Sequence, residues 1–163
     1  MHEFWAKFAL FVQELQNQLT KSGIKCAGCK ASIVGEEKFK KLLDGSVKKH
    51  IYYHCSGSKE CSYVKPYIRE EKLIEQLAAF IDSLDKEHIP LSGRLKSGYY
   101  EYKKIVGNAL QSNGISQNES ADIKSYARYI LNEGINQDKT ELIGGLGIPL
   151  YLHNGTICTE PIS

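Results

Sequence analysis

The chain has 163 residues, of which 42% are hydrophobic and 25% charged, enough for one domain or two small ones and not typical of wholesale disorder. Its formal net charge is only +2, but the stretch from Lys25 to Lys72 holds 11 basic residues against 6 acidic ones. No run of about 18 apolar residues is present, and the N-terminus lacks the basic start of a signal peptide. We therefore expect no membrane partner and a cytoplasmic location.

Residues 1–23 are predicted to form an amphipathic helix that ends at Gly23. Apolar side chains recur there at steps of three and four residues, which places them on one helix face. They are Phe4, Phe8, Phe11, Leu15 and Leu19. Such a face either packs on the protein's own core or offers a surface to a second copy or another partner.

Residues 24–69 carry four of the five cysteines and are predicted to form a zinc ribbon. Cys26 and Cys29 are separated by two residues, and Gly28 between them tolerates the positive φ of a tight turn. Cys55 and Cys61 follow after two β-prone runs, 31–34 and 51–54, which flank a polar, lysine-rich loop over 36–49. Two cysteine pairs at the two ends of a β-hairpin make a tetrahedral four-sulfur zinc site.

Other interpretations of these cysteines stay open. Disulfides are possible chemically, although nothing in the segment indicates secretion, and a thioredoxin-like motif requires a βαβ setting that is not predicted here. His50 or His54 could replace one sulfur, but His54 adjoins Cys55 and points to the other face of the strand. Four thiolates fill a tetrahedral shell and leave no position for water or substrate, which predicts a structural site.

The basic charge of the same segment favours contact with a polyanion. The alternative is a lysine-rich loop that is only solvated. Tyr52 and Tyr53 point to opposite faces of one strand, and we expect one of the two to be buried.

Residues 70–111 are predicted to form a helical hairpin or a coiled-coil-like segment. A helix begins near Arg69, Pro90 interrupts it, and a second helical stretch covers about 91–110. The first helix has an apolar face, which consists of Leu73, Ile74, Leu77, Phe80, Ile81 and Leu84.

Residues 112–163 are predicted to contain short helices and a C-terminal β-hairpin. A polar linker over 112–120 precedes a helix that ends at Gly134, and Asp138 is a candidate cap for the next one. Asn154-Gly155 between two β-prone runs is a strong hairpin signal. Cys158 is expected at the core or a sheet edge, with a reactive or metal-binding role as the alternative. The expected fold class of the whole chain is α+β.

Three strings within this chain resemble a known family. They are IKCAGC, EEKFKKLLDGSVKKHIYYHC and PYIREEKLIEQ, and DIKSYARYILNEGINQDKTELI with LYLHNGTI is similar to the tail of the same family. The family is that of the serine site-specific recombinases, the resolvases and large serine integrases, and the resemblance covers roughly residues 24–157. It concerns the zinc β-ribbon and the helical region that follows the catalytic domain.

The resemblance implies a module that binds duplex DNA, with a helical hairpin for contacts between subunits. Cys26, Cys29, Cys55 and Cys61 match the family's zinc ligands. Candidate DNA contacts are the lysines Lys38, Lys40, Lys41, Lys48 and Lys49 on physical grounds, together with Tyr52 and Arg69.

The family's catalytic step requires a serine nucleophile with clustered arginines. Here the three arginines, Arg69, Arg94 and Arg128, are far apart in sequence. We therefore expect no enzymatic activity from this chain alone. The main hypothesis is a zinc-dependent DNA-binding module. The alternative is a zinc-stapled interaction module whose helices pair with a second copy or with a full-length recombinase.

Overall fold

The computed structural model describes residues 23–57, 61–62, 67–114 and 121–162, which form an α+β fold. The helix expected before Gly23 lies outside these residues. The strands are β1 (Ile24–Cys26), β2 (Ile33–Lys41), β3 (Val47–Cys55), β4 (Ile68–Arg69), β5 (Leu150–His153) and β6 (Thr156–Cys158). The helices are α1 (Glu70–Ser83), α2 (Gly93–Ser112), α3 (Ile123–Glu133) and α4 (Asn136–Gly145), with a 3-10 turn at Lys86–His88.

The chain divides into two compact units, and the division falls within α1. The first unit contains the described residues up to Gln76 and again from Ile148, and therefore the six strands named above. The second unit, Leu77–Gly147, is helical and is inserted into the first. In the part of the chain that the structure describes, no helix combines the length and the apolar character needed to span a membrane.

The prediction of a polar loop over residues 36–49 is wrong, because most of these residues lie in strands β2 and β3. Strands β2 and β3 pair antiparallel without a break from Ile33↔Cys55 to Lys41↔Val47. The connection is a tight turn in which the Asp44 carboxylate accepts hydrogen bonds from the Ser46 backbone N–H (2.8 Å) and hydroxyl (2.6 Å). We call this long hairpin the arm, and its distal half is exposed.

At the other end of the arm, side chains on one face enter the core of the first unit. Ile33, Tyr53 and Ile68 are all buried there. Tyr53 lies over Gly35, its partner on β2, where an added Cβ would stand 3.0 Å from the Tyr53 ring. Tyr53 is thus the buried member of the tyrosine pair, as expected for one of the two, and its hydroxyl donates to Glu70 at 3.3 Å.

The second sheet joins two distant parts of the chain. Strand β1 pairs with β5 in parallel, with Cys26 opposite Leu152, and β5 pairs with β6 through the predicted Asn154-Gly155 turn. The Gln76 side chain donates to the Gly155 carbonyl at 2.8 Å and accepts from the Ile157 N–H at 2.7 Å. The C-terminal hairpin is therefore attached both to the first cysteine strand and to α1.

The helical unit packs α2 against α3 and α4. Helix α3 is capped by Asp122, whose carboxylate accepts from the Ser125 N–H at 2.8 Å, and it ends at Gly134 as predicted. Helix α4 begins at Asn136 after Ile135, so Asp138 lies in its first turn and is not its cap. A carboxylate in the first helical turn still interacts favourably with the helix dipole.

Candidate metal centre and basic face of the arm

Four cysteine sulfurs from separate parts of the first unit converge at one point. The Sγ atoms of Cys26, Cys29, Cys55 and Cys61 all lie within 4.8 Å of one another. The Cys26–Cys61 and Cys55–Cys61 sulfurs are each 3.8 Å apart, and the Cys29–Cys55 sulfurs are 3.3 Å apart. A disulfide brings sulfurs to about 2.05 Å, whereas a tetrahedral site with metal–sulfur bonds of about 2.3 Å has edges of about 3.8 Å. The cluster therefore fits a tetrahedrally coordinated metal ion.

The first two sulfurs are presented by a tight turn that follows β1. The Lys30 N–H donates to the Cys26 carbonyl at 3.0 Å, and the Cys26 N–H donates to the Ala31 carbonyl at 2.8 Å. The positive φ of this turn, 60°, falls at Lys30 and not at Gly28, so the expected role of Gly28 is wrong. Because the chain reverses only after both cysteines, the left-handed residue is needed at the position after the second one.

The third sulfur accepts a backbone hydrogen bond from a glycine that has little space around it. The Gly57 N–H donates to Cys55 Sγ at 3.1 Å. A Cβ added to Gly57 would stand 2.9 Å from Cys29 Sγ and 3.0 Å from Cys55 Sγ. A side chain at this position would displace the sulfurs, so the backbone itself forms one wall of the site.

Two of the thiols have displaced pKa values in the absence of a metal. The Ala31 backbone hydrogen bond is the main reason that the pKa of Cys29 is lowered to about 7, close to neutral pH. Burial raises the pKa of Cys55 above its ordinary value. A metal ion that binds here must therefore displace a proton from Cys55, and its apparent affinity should rise with pH.

His54 and Cys158 lie apart from the cluster. The His54 ring stacks on Tyr67, with the ring centroids 4.4 Å apart, and its Nδ1 lies 2.9 Å from the Cys55 carbonyl oxygen. Cys158 is on the edge strand β6, with its Sγ 3.3 Å from the Glu160 carbonyl oxygen.

The register of the arm separates the candidate DNA-binding residues into two groups. Paired residues of neighbouring strands share a face, and the face alternates along each strand. The pairs Lys40↔Lys48 and Tyr52↔Arg69, and Lys38 opposite His50, lie on one face of the sheet. We call this surface the basic face.

Aromatic rings lie among the cations of the basic face. The Lys38 ammonium stands 5.5 Å from the centre of the Tyr52 ring and 5.0 Å from that of Tyr67, and the Arg69 guanidinium is 5.7 Å from the Tyr52 ring. Glu36, on the same face, is 3.9 Å from Lys38 and 3.8 Å from His54. The ring faces hold the long cationic side chains over the sheet.

Lys41 and Lys49 are on the opposite face. Lys49 forms an ion pair with Glu37, and Lys41 is paired with Val47 across the arm. The candidate set of seven residues therefore includes two whose side chains do not share a surface with the other five.

Tyr67 is part of the basic face and was not among the candidate residues. Its position follows from its place two residues before Arg69, because β4 continues the alternation. Asp44-Gly45 is a hairpin signal of the same kind as Asn154-Gly155, and it could have revealed the full length of the arm. Comparisons of the chain with protein-family models, with curated proteins and with solved structures found no match.

Proposed function

We propose that this chain is a zinc-dependent module that binds duplex DNA through the basic face of the arm. The observation that carries the proposal is the arrangement of four cations, Lys38, Lys40, Lys48 and Arg69, on one face of the three-stranded sheet that the arm forms with β4. Surfaces that neutralise several phosphates at once supply most of the affinity of proteins for DNA. The resemblance to the zinc ribbon of serine recombinases favours the same ligand.

Zinc is the metal that best suits the four-cysteine cluster. Thiolates in tetrahedral geometry select zinc or iron–sulfur chemistry, and a ribbon of this size with one closed four-thiolate site is typical of structural zinc. The ion would tie the turn after β1 to the root of the arm at Cys55. It would thereby fix the orientation of the arm, since binding energy at such a site is also folding energy.

The chain alone is proposed to be non-catalytic. A closed shell of four thiolates leaves no coordination position for a reacting group. Arg94 is paired with Asp138, Arg128 makes two 3.0 Å bonds to the Asp82 carboxylate, and Arg69 is 5.7 Å from the Tyr52 ring, so each arginine is held by a different partner. The chemistry of the family that this chain resembles would therefore have to come from elsewhere.

The experiment that tests DNA binding is a salt series on the zinc-loaded protein. Fluorescence anisotropy with a labelled duplex would give the binding constant at several salt concentrations. Four phosphate contacts predict a slope of log K against log salt of about −3.6, because each contact contributes about −0.9. An affinity that does not change with salt concentration would contradict the proposal.

Pairing of the protein with a second copy or a recombinase through its helices is a second candidate function. Tyr100 and Ile105 on α2 and Tyr129 on α3 expose large apolar side chains, which favours this possibility. The apolar face of α1 does not favour this function, because Leu77 and Ile81 are buried within this chain. Light scattering after size-exclusion chromatography would distinguish a monomer from a dimer, and Ile105→Ser should dissociate the dimer if this candidate is correct.

A further inference from the structure

The tip of the arm carries large apolar side chains that no part of the described chain covers. At the tip itself Leu42 is 37% exposed and the Leu43 side chain is fully exposed, while Phe39 (65%) and Val47 (62%) flank the tip on the face opposite the basic face. Exposed apolar clusters that are rimmed by polar groups commonly mark interaction sites. The apolar surface at the tip is therefore a candidate interaction site.

We propose that the tip of the arm is an apolar wedge that enters a groove of duplex DNA and partly unstacks a base step. The inference rests on the proposed DNA-binding function and adds a mode of contact to it. Proteins that insert Phe or Leu between base pairs kink the duplex and gain contact with more of its backbone.

The charge around the tip selects a polyanion as the partner. Five lysines but only one acidic residue, Asp44, lie between Lys38 and Lys49. The lysines point to both sides of the ribbon, since Lys40 and Lys48 share one face and Lys41 lies on the other. Lys40 and Lys48, on the basic face, are the lysines nearest the tip that would meet a phosphate backbone as the tip enters the groove.

The dimensions of the arm also agree with a duplex. Nine paired residues at about 3.3 Å each extend for roughly 26–30 Å, slightly less than one turn of the double helix, about 34 Å. The major groove of duplex DNA is wide enough to admit a two-stranded ribbon. The basic face extends from Lys48, near the tip, to Arg69 on β4. A duplex that lies along the arm would therefore meet cations over this length. A lipid surface would be touched by the tip alone.

The turn holds the wedge residues in a fixed position. The Leu42 N–H donates to the Ser46 carbonyl at 2.8 Å, and the Gly45 N–H donates to the Leu42 carbonyl at 3.0 Å. Gly45 adopts a φ of 86°, a left-handed conformation that suits glycine. An ordered turn loses little conformational entropy when its side chains enter DNA.

The test compares the zinc-loaded protein with its Leu43→Ser variant on a duplex of roughly 20 base pairs, about two helical turns. The duplex carries 2-aminopurine at a central TA step and a fluorophore pair at its ends. The unchanged protein should raise both the 2-aminopurine fluorescence and the energy transfer. Leu43→Ser should reduce both changes by about fivefold or more while the salt slope stays the same. Ile135→Ser, which removes an exposed apolar side chain just before α4, should leave both signals unchanged.

Three outcomes would overturn the wedge. Salt-dependent binding without any change in either signal would refute it and leave the proposed DNA-binding function intact. Binding to phosphatidylserine vesicles that Leu43→Ser abolishes, with no unstacking of DNA, would assign the tip to a lipid surface. An absence of salt-dependent DNA binding would refute both the wedge and the proposed function.

Discussion

Lys48 and Lys49 are neighbours in sequence but lie on opposite faces of the arm, which makes them a matched pair for testing the basic face. Lys48 stands opposite Lys40 on that face, whereas Lys49 stands opposite Phe39 and is paired with Glu37. Replacing either lysine with glutamine removes the same charge from the same segment. A difference between the two variants in DNA binding must therefore come from the face that each side chain occupies and from the ion pair of Lys49 with Glu37.

The expected magnitudes follow from the number of cations on the face. Four contacts predict that the unchanged protein loses about 150-fold in affinity between 50 and 200 mM salt. Lys48→Gln should lower the slope by about 0.9 and the loss to roughly 40-fold. Lys49→Gln should keep the original slope, because its partner is Glu37 and not a phosphate.

The assay is anisotropy with one labelled duplex, performed on both variants after their zinc content and circular dichroism are shown to match those of the parent. Equal losses of slope in the two variants would show that net charge matters and the direction of the side chain does not. An unchanged slope in Lys48→Gln would show that the basic face does not contact DNA.

Three further predictions concern the stability of the fold and of the metal centre. Gly57→Ala should weaken zinc binding by roughly 10-fold or more, because second-sphere changes at metal sites cost about 10- to 100-fold and the new Cβ would crowd Cys55 Sγ; an unchanged zinc affinity in a chelator competition would show that the site has spare room. Gln76→Ala removes two hydrogen bonds and should lower the free energy of unfolding by about 1–3 kcal/mol in urea titrations of the zinc-loaded protein, whereas a loss below about 0.5 kcal/mol would contradict the anchoring role. Burial alone would raise the pKa of Asp122, but the Ser125 N–H and Lys86 outweigh it and hold the value at about 2. Because the folded pKa is depressed, the cap stabilises the fold above about pH 4, and the benefit is lost as the pH falls towards 2. Asp122→Ala should thus cost about 1 kcal/mol at pH 7, and a cost that stays constant down to pH 2 would contradict this assignment.

The metal cluster was predictable because the cysteines that bind one metal ion recur at a characteristic spacing in the sequence. A pair of cysteines two residues apart restricts a turn to very few shapes, and a second pair within 35 residues of Cys26 must come from the other end of a short hairpin. The finer geometry was not predictable. The left-handed residue is a lysine, Lys30, and spacing alone does not show which residue of a turn carries the strain.

The length of the arm was missed because its residues have low β-propensity. Glutamate and lysine are depleted in strands, and the segment from Glu36 to Lys49 is rich in both. Pairing with a partner strand overrides that preference, and the Asp44-Gly45 turn sets the register. Once the strands are known, the alternation of side chains along β3 places Lys48 and Lys49 on opposite faces.

The parallel pairing of β1 with β5 could not have been predicted from the pattern. The two strands are more than a hundred residues apart, with the helical unit between them, and each is short. Strand β5 was predicted as part of the C-terminal hairpin, but β1 was not predicted as a strand, and nothing local specifies the pairing of the two. The contact matters for the metal centre, since Leu152 pairs with Cys26 and its carbonyl accepts from the Ala27 N–H at 3.0 Å.

The central claim is that Cys26, Cys29, Cys55 and Cys61 together hold one zinc ion that orders the first unit. The most direct measurement is native mass spectrometry of the purified protein, followed by a chelator titration monitored by circular dichroism. The proposal predicts one zinc per chain, loss of strand signal when zinc is removed, and loss of the bound zinc in Cys55→Ser. A metal-free protein with unchanged strand content, or one whose four cysteines are joined in disulfides, would contradict it.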